Sequence, residues 1–474
     1  VHQVLNTTEE KIMFFNSKKK KLLKTDNDAI KASLFGFFIG DALGVPVEFQ
    51  SREKLERKKV KKMKGYGTHN QPKGTWSDDS SMVLATIDGL IQSDRSNINY
   101  QAIMSNFLKW KSRGEFTPFN YVFDIGNVTN NALIVYQQKV AENKADDVIC
   151  GNDDIYSNGN GSLMRILPVS LYLHYLKIDY KDPKYLDIIR TISGMTHAHI
   201  YSVFACYMYS IYISEIIEYK DKKIAYDNLQ TIVKGIIETH SEFNEVKNVY
   251  SRMIYQDVSK LRREEIKSSG YVVDSLEATM WSVLNSKSFS DAVLKAVNLG
   301  DDTDTIGALT GALAGIIYGY DNIPSRWIKA LQRKDYLQEN VNKFEKKLEE
   351  EKKKAFIDII ADFMNAMKNG EEVCKLTPGA YLENGTPFMS ETEWGEKIGK
   401  FVNSLAENNM MDFDYITNID KIKNKEIEEF TLPEVLTYIT FLIRRDRFCS
   451  GALYGSVQDG TLLRATERLY NLEK

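Results

Sequence analysis

Along most of the chain, apolar residues recur at helical spacing, and long apolar segments are separated by short stretches of Gly, Asn and Asp. Residues 83–90, 200–217, 229–237 and 292–299 read as helices, because no run between Ala29 and Asp335 alternates with period two long enough to mark a strand. Nine prolines in 474 residues suit such a chain. The strongest apolar run, 306–318, carries Gly307, Gly311 and Gly315 on one face. Each glycine costs about 1 kcal/mol of helix propensity relative to alanine, a cost a helix accepts when another backbone must come close. That helix is predicted to be central. From Tyr336 to Met367 the composition turns to Glu and Lys, with Leu337, Val341, Phe344, Leu348, Ala355 and Ile359 in one narrow stripe. A long helix stopping near Gly370 is expected there.

The predicted architecture is all-α. A compact multi-helix bundle occupies 29–335, a long connecting helix 336–372, and a smaller, mostly helical C-terminal domain 373–474. Residues 1–28 form a polar, lysine-rich extension. In the C-terminal part, Thr377-Pro378-Gly379 and Asn384-Gly385-Thr386-Pro387 carry turn chemistry. Ser390 with Glu393 fits a capping box opening a helix near Trp394.

Composition narrows the setting. Lys and Arg total 62 against 65 Asp and Glu, a net charge of −3, which supplies no global attraction to nucleic acid or membrane. The four cysteines are widely spaced and read as free thiols in a reducing compartment. No apolar run reaches the roughly 18–20 residues of a membrane span, and no secretion signal is visible, so a soluble, cytoplasmic protein is expected.

Two acidic clusters carry the chemistry. Ser77-Asp78-Asp79 and Asp302-Thr303-Asp304-Thr305 each open an apolar helix. Taken singly, either could be no more than helix capping. Brought together, they would put four carboxylates at one centre, which cannot stay ionised without compensating positive charge. A pair of hard divalent cations, Mg²⁺ or Mn²⁺, supplies that charge and activates water. The physical argument predicts a binuclear metal centre and leaves the substrate open. Between the clusters, Gly159-Asn160-Gly161-Ser162-Leu163-Met164-Arg165 has glycines that let backbone N–H groups approach an anionic diphosphate or a ribose. Eight basic residues lie within 52–64, readable as a solvated loop or as a positive lip for an anionic substrate.

Gly40-Asp41-Ala42-Leu43-Gly44-Val45-Pro46-Val47-Glu48-Phe49 resembles the opening motif of the ADP-ribosylglycohydrolases. Ser77-Asp78-Asp79 is similar to that family's Thr-Asp-Asp motif, and Phe123-Asp124-Ile125-Gly126-Asn127 resembles its Phe-Asp-Ile-Gly segment. The 159–165 loop, Thr196-His197-Ala198-His199 and Asp302-Thr303-Asp304-Thr305 complete an ordered set over 30–330. The resemblance implies Ser77, Asp78, Asp79, Asp302, Asp304 and Thr305 as ligands of two Mg²⁺ or Mn²⁺ ions. Where the family has Thr, Ser77 keeps the hydroxyl and loses the methyl that restricts its rotamer. Glu48 and Asp124 are the implied acid and base, with an exposed loop position and a helix cap as their respective alternatives. Gly159, Asn160, Gly161, Ser162 and His197 are the implied substrate contacts. Arg165 is expected to brace the metal carboxylates, or alternatively to pair a phosphate.

The implied reaction is hydrolysis of an ADP-ribosyl bond, releasing ADP-ribose from a modified target, with protein arginine nearest to the motifs. ADP-ribosyl-serine, a modified nucleic acid or a small metabolite are alternative substrates, and a non-catalytic ADP-ribose-binding module is the alternative of another class. Arg444-Arg445-Asp446-Arg447, followed by Gln458-Asp459-Gly460, resembles a small uncharacterised domain appended to such hydrolases. Docking of a partner is its expected role, and salt bridges to neighbouring helices are the expected use of its arginines.

Overall fold

The structure, a computed structural model, describes residues 26–95, 97–378 and 390–474. The predicted N-terminal extension lies almost wholly outside the described residues, as do most of the turn residues predicted within 377–387. The chain divides into two compact units, one ending at Leu348 and the other spanning Glu349–Lys474.

The longer helices of the first unit follow in the order α1 (Asp26–Gly44), α2 (Asp78–Ile91), α3 (Tyr100–Arg113), α4 (Asn127–Ala141), α5 (Leu167–Tyr175), α6 (Pro183–Gly194), α7 (Ile200–Tyr219), α8 (Lys222–Thr239), α9 (Val272–Leu284), α10 (Phe289–Val297) and α11 (Thr303–Tyr318), with short helical turns between them, and α12 (Lys334–Lys368) begins in this unit and continues past Leu348. Local chemistry marks many starts. Asn99, Asp182, Asp221 and Ser288 each accept a backbone N–H of the helix they open, and Pro183 occupies the first turn of α6.

At the centre, α1 and α11 run antiparallel along a seam of glycines. A Cβ added at Gly36 would fall closer than 3.0 Å to the Gly311 carbonyl, at Gly40 to that of Gly307, and at Gly315 to that of Ala32; at Gly44 it would meet the backbone of Asp304. All of these obstacles are main chain, which cannot rotate away. The glycines at 307, 311 and 315 therefore act as their spacing predicts, and their partner is a row of small residues, Ala32, Gly36, Gly40 and Gly44. Both helices are buried along nearly their whole length, and the other helices wrap them.

Two helical segments, Asp28–Val47 and Ile200–Tyr219, are 20 residues each with mean hydropathy 1.4, long and apolar enough to cross a membrane, contrary to the run-length expectation. Counting only uninterrupted apolar residues undervalued them. Their windows are 94% and 78% buried inside this unit, where they serve as core helices.

Helix α12 contributes Leu337, Val341, Phe344 and Leu348 to the first core, and Phe356, Ile360, Phe363 and Ala366 to the second. In the second unit an antiparallel hairpin, β1 (Cys374–Pro378) with β2 (Ser390–Trp394), precedes α13 (Glu396–Glu407), α14 (Tyr415–Ile422), α15 (Leu432–Arg445), α16 (Ala452–Gln458) and α17 (Thr461–Glu473). The capping box expected at Ser390 and Glu393 is absent, because both residues lie in β2 and α13 starts behind Gly395 without a side-chain cap. A capping box does form between Thr431 and Glu434 at the head of α15. Arg444 lies over the rings of Phe413 and Tyr415, and Arg445 over Phe441, so ring faces also contact these cations.

Gly311→Ala is expected to cost about 3 kcal/mol or more, since the methyl meets backbone that can yield only by parting α1 from α11. Gly235, on α8, has nothing within 4 Å of an added Cβ, so Gly235→Ala is expected to stabilise by up to about 1 kcal/mol. Chemical denaturation of the two variants checks the contrast.

Candidate active site

The antiparallel seam brings the C-terminal end of α1 to the N-terminal end of α11. A single 3-10 turn, Val45–Val47, leads from α1 to Glu48, while Asp302, Asp304 and Thr305 open α11. Two cross-bonds close the junction: Thr303 Oγ1 donates to the Gly44 carbonyl at 2.9 Å, and Phe49 N–H donates to the Asp301 carbonyl at 2.7 Å. Glu48 is buried, so it is not the exposed loop residue that was the alternative for it.

The other acidic turn reaches the same place from the head of α2. Ser77 is the N-cap, its hydroxyl accepting the Asp79 N–H at 3.2 Å. Asp41 of α1 holds the turn from beneath: both of its carboxylate oxygens accept Ser77 N–H at 3.0 Å, and Oδ2 also accepts Ser80 N–H at 3.1 Å. Across 226 residues of sequence, Thr305 Oγ1 donates to Asp79 Oδ1 at 3.3 Å, so the two acidic turns meet. One ligand atom each from Asp41, Asp79 and Asp304 lies within 4.8 Å of the others, and the same holds for Glu48, Asp302 and Asp304, and for Glu48, His69 and Asp124. Asp78 faces a neighbouring small cleft that Ser77, Trp110, Tyr121, Phe123 and Asp124 also line. Asp124 precedes α4, whose N-cap is Gly126, so capping does not account for it.

This concentration of carboxylates shifts every one of them upward. Burial raises Asp41 to about 6 and Glu48 to about 7, the latter also pushed by the charges of Asp124 and Asp302. Asp78, Asp79 and Asp304 stand well above the ordinary range, through burial first and then through the charge of neighbouring carboxylates, Glu48 and Asp41 acting on all three. Burial raises Asp124 and Asp302 as well. Among the described residues no lysine or arginine pairs with any of the seven, and Asp79 Oδ2 is buried without a hydrogen-bond partner. An orphaned carboxylate oxygen amid hard oxygen donors fits a divalent cation.

His69 was not anticipated. Its Nε2 bonds Glu48 Oε2, and its ring lies between Phe49 and Phe123 at centroid distances of 6.0 and 5.4 Å. The bond to Glu48 raises its pKa. A histidine inside a lysine-rich stretch offers no pattern to find it by. Asp41 was missed as a functional group as well, although it stands in the opening motif beside Gly40.

The 159–165 loop lies beside the second acidic turn. Asn160 Nδ2 donates to Asp302 Oδ2 at 2.6 Å and to Ser275 Oγ at 2.9 Å. Ser162, expected to offer its hydroxyl to a ligand, is instead fully buried on Ser193 and Cys206, so the close packing behind the loop leaves its backbone alone for such a contact. Arg165 neither braces the metal carboxylates nor reaches the surface. Its Nη2 donates to the Ile192 carbonyl and to Thr196 Oγ1, and its guanidinium lies over the Phe107 ring. In the basic stretch, Arg52 donates to the carbonyls of Leu299, Arg263 and Ile266, while Lys58, Lys59, Lys61 and Lys62 stay exposed.

The sequence model of the ADP-ribosylglycohydrolase family matches residues 23–354, and that of a family of unknown function, DUF6508, matches 352–474. The chain is 33% identical over 311 residues to an ADP-ribosylarginine hydrolase, Tri1, of Serratia proteamaculans, covering 65% of this chain and 76% of that one. It is 27% identical over 314 residues to the ADP-ribosyl-[dinitrogen reductase] glycohydrolase of Rhodospirillum rubrum, covering 65% and 92%. A solved structure of an ADP-ribosylglycohydrolase-related protein complex superposes with a TM-score of 0.54 at 26% identity, over 69% of this chain and all of that one.

The raised carboxylates fix the sign of a pH dependence. In the unfolded chain Asp and Glu titrate near 4, whereas Asp41 and Glu48 rise to about 6 and about 7. The folded state therefore binds more protons between roughly pH 4 and 7, and stability falls as pH rises through that window. His69, also raised, contributes in the same direction. A chelated sample is expected to melt at a lower temperature at about pH 7.5 than at about pH 5.5, and added Mg²⁺ is expected to raise melting more at the higher pH, as differential scanning calorimetry would show.

Proposed function

The chain belongs to the ADP-ribosylglycohydrolase family, and from that premise we propose that it is a metal-dependent enzyme whose substrate is a protein carrying ADP-ribose on arginine. The coarser statement, hydrolysis of an ADP-ribosyl bond by a glycohydrolase, follows from the family itself and from relatives named for that reaction. Arginine is favoured because two relatives at 33% and 31% identity bear the name of ADP-ribosylarginine hydrolases. The single observation that carries the metal dependence is the unpartnered Asp79 Oδ2 at the meeting point of two acidic turns.

Two Mg²⁺ or Mn²⁺ ions would be held by Asp79, Asp302, Asp304 and Thr305 with Ser77 and Asp78, and Asp41 and Glu48 stand close enough to join them. When bound, such cations neutralise the cluster and make an attacking water more acidic. The chain's own groups do the rest. Glu48 and His69 share a proton across their hydrogen bond that can pass to the departing nitrogen of the arginine, while the Asp124 carboxylate can accept one from water. Phe49 and Phe123, on either side of His69, limit the freedom of that ring. Asn160 ties the loop that would carry the ADP-ribose to Asp302.

The test is incubation of the full chain with arginine-ADP-ribosylated protein in Mg²⁺, in Mn²⁺ and in chelator, with serine-linked and nucleic-acid-linked ADP-ribose in parallel. Free ADP-ribose is expected from the arginine linkage, abolished by chelator and reduced at least about a hundredfold in Asp302→Asn. Release from another linkage alone would replace the target, and release from none would overturn the reading.

A further inference from the structure

Arg165 is fully buried, yet no carboxylate among the described residues pairs with it. Its Nη2 donates to Thr196 Oγ1 at 2.8 Å, and Thr196 Oγ1 lies 2.9 Å from His197 Nδ1. Proton counting decides the direction of this relay. A guanidinium has only donors, and a threonine hydroxyl has a single hydrogen. The Thr196 oxygen therefore accepts from Arg165, and His197 Nδ1 is the other partner its hydroxyl has among the described residues. If Nδ1 carried the proton, two donors would converge on one oxygen and the Thr196 hydrogen would be left unpaired in a fully buried position, at the full desolvation cost. Nδ1 thus accepts, and the ring proton sits on Nε2.

The imidazole is held as firmly as its tautomer. His197 N–H donates to the Ser193 carbonyl at 2.7 Å, and Ser193 Oγ donates to the His197 carbonyl at 2.8 Å. The Nε2 edge lies against Gly159 and Gly161. A Cβ on Gly161 would stand 2.7 Å from Cε1 and 3.3 Å from Nε2, and one on Gly159 would stand 3.4 Å from Nε2. Nε2 makes no hydrogen bond among the described residues, so the two glycines leave this donor uncovered on the side where the loop presents its backbone.

We propose that Arg165 and Thr196 are positioning residues that lock His197 as a neutral Nε2–H donor, aimed at an acceptor oxygen of the ADP-ribosyl group on the Gly159–Gly161 backbone. This rests on the ADP-ribose reading of the loop; the relay itself does not. Burial and the nearby Arg165 charge push the His197 pKa down to about 3, so the ring stays neutral throughout the physiological range. A neutral donor of fixed direction distinguishes an acceptor oxygen from a cationic group without adding charge to the pocket.

The experiment labels the histidines with ¹⁵N in the full chain and assigns His197 by its loss in His197→Phe. The expected spectrum shows a neutral ring protonated at Nε2 and unchanged from about pH 5 to 8. Protonation at Nδ1, or titration within that range, would overturn the proposal. Thr196→Val is expected to lose the single tautomer and Thr196→Ser to keep it. In parallel, calorimetric titration with ADP-ribose is expected to show three- to tenfold weaker binding for Thr196→Val, and binding within about twofold of the parent for Thr196→Ser. Equal binding by folded Thr196→Val and the parent chain would remove the positioning role. Absence of ADP-ribose binding by the parent would instead fault the substrate reading, with the tautomer result standing apart from it.

Discussion

The close approach of α1 and α11 is the constraint from which the rest of the first unit follows. Helices meet at this distance only where the side chains at the contact are absent or no larger than a methyl, and the facing rows, Ala32, Gly36, Gly40 and Gly44 against Gly307, Gly311 and Gly315, satisfy that on both sides. Because the pair is antiparallel, the two ends that leave the seam together are the C-terminus of α1, with Glu48 one turn beyond it, and the N-terminus of α11, with Asp302, Asp304 and Thr305. Asp41, within α1, then fixes the Ser77-Asp79 turn through its backbone N–H groups. A packing rule about glycine has become a rule about where carboxylates sit.

That arrangement is electrostatically incomplete on its own. Asp41, Glu48, Asp78, Asp79, Asp124, Asp302 and Asp304 all resist ionisation, and among the described residues no basic side chain except His69 is spent on them. Two arginines of the site's own motifs and loops are directed elsewhere: Arg52 to backbone carbonyls, Arg165 to the Thr196–His197 relay. A fold that gathers anions while directing its cations away leaves room for a mobile divalent charge. Compensation by ligand, rather than by side chain, would also make the stability of the site differ between loaded and empty states.

Much of this was readable before any coordinates. The spacing of Gly307, Gly311 and Gly315 announced a central helix because it is local and periodic, and the two acidic helix starts pointed to a shared centre because each is a short motif legible by itself and neither cluster has a basic partner beside it in sequence. What escaped was set by tertiary packing. His69 lies in a loop without periodicity, and only the folded chain sets it between Phe49 and Phe123 against Glu48. Ser162 and Arg165 sit in the loop that suggested ligand contacts, but apolar neighbours turn both side chains inward. At Ser390 and Glu393 the capping grammar was satisfied by letters that the backbone uses for a strand, since pairing with Cys374–Pro378 outweighs a local cap.

The central claim, that the two acidic turns face each other across shared cations, is tested most directly by anomalous scattering from crystals of the chain grown with Mn²⁺. The account predicts two manganese peaks between the turns, each about 2.2 Å from carboxylate oxygens drawn from both Asp79 and the Asp302–Asp304 pair. Manganese confined to one turn, or found only at surface carboxylates, would contradict it.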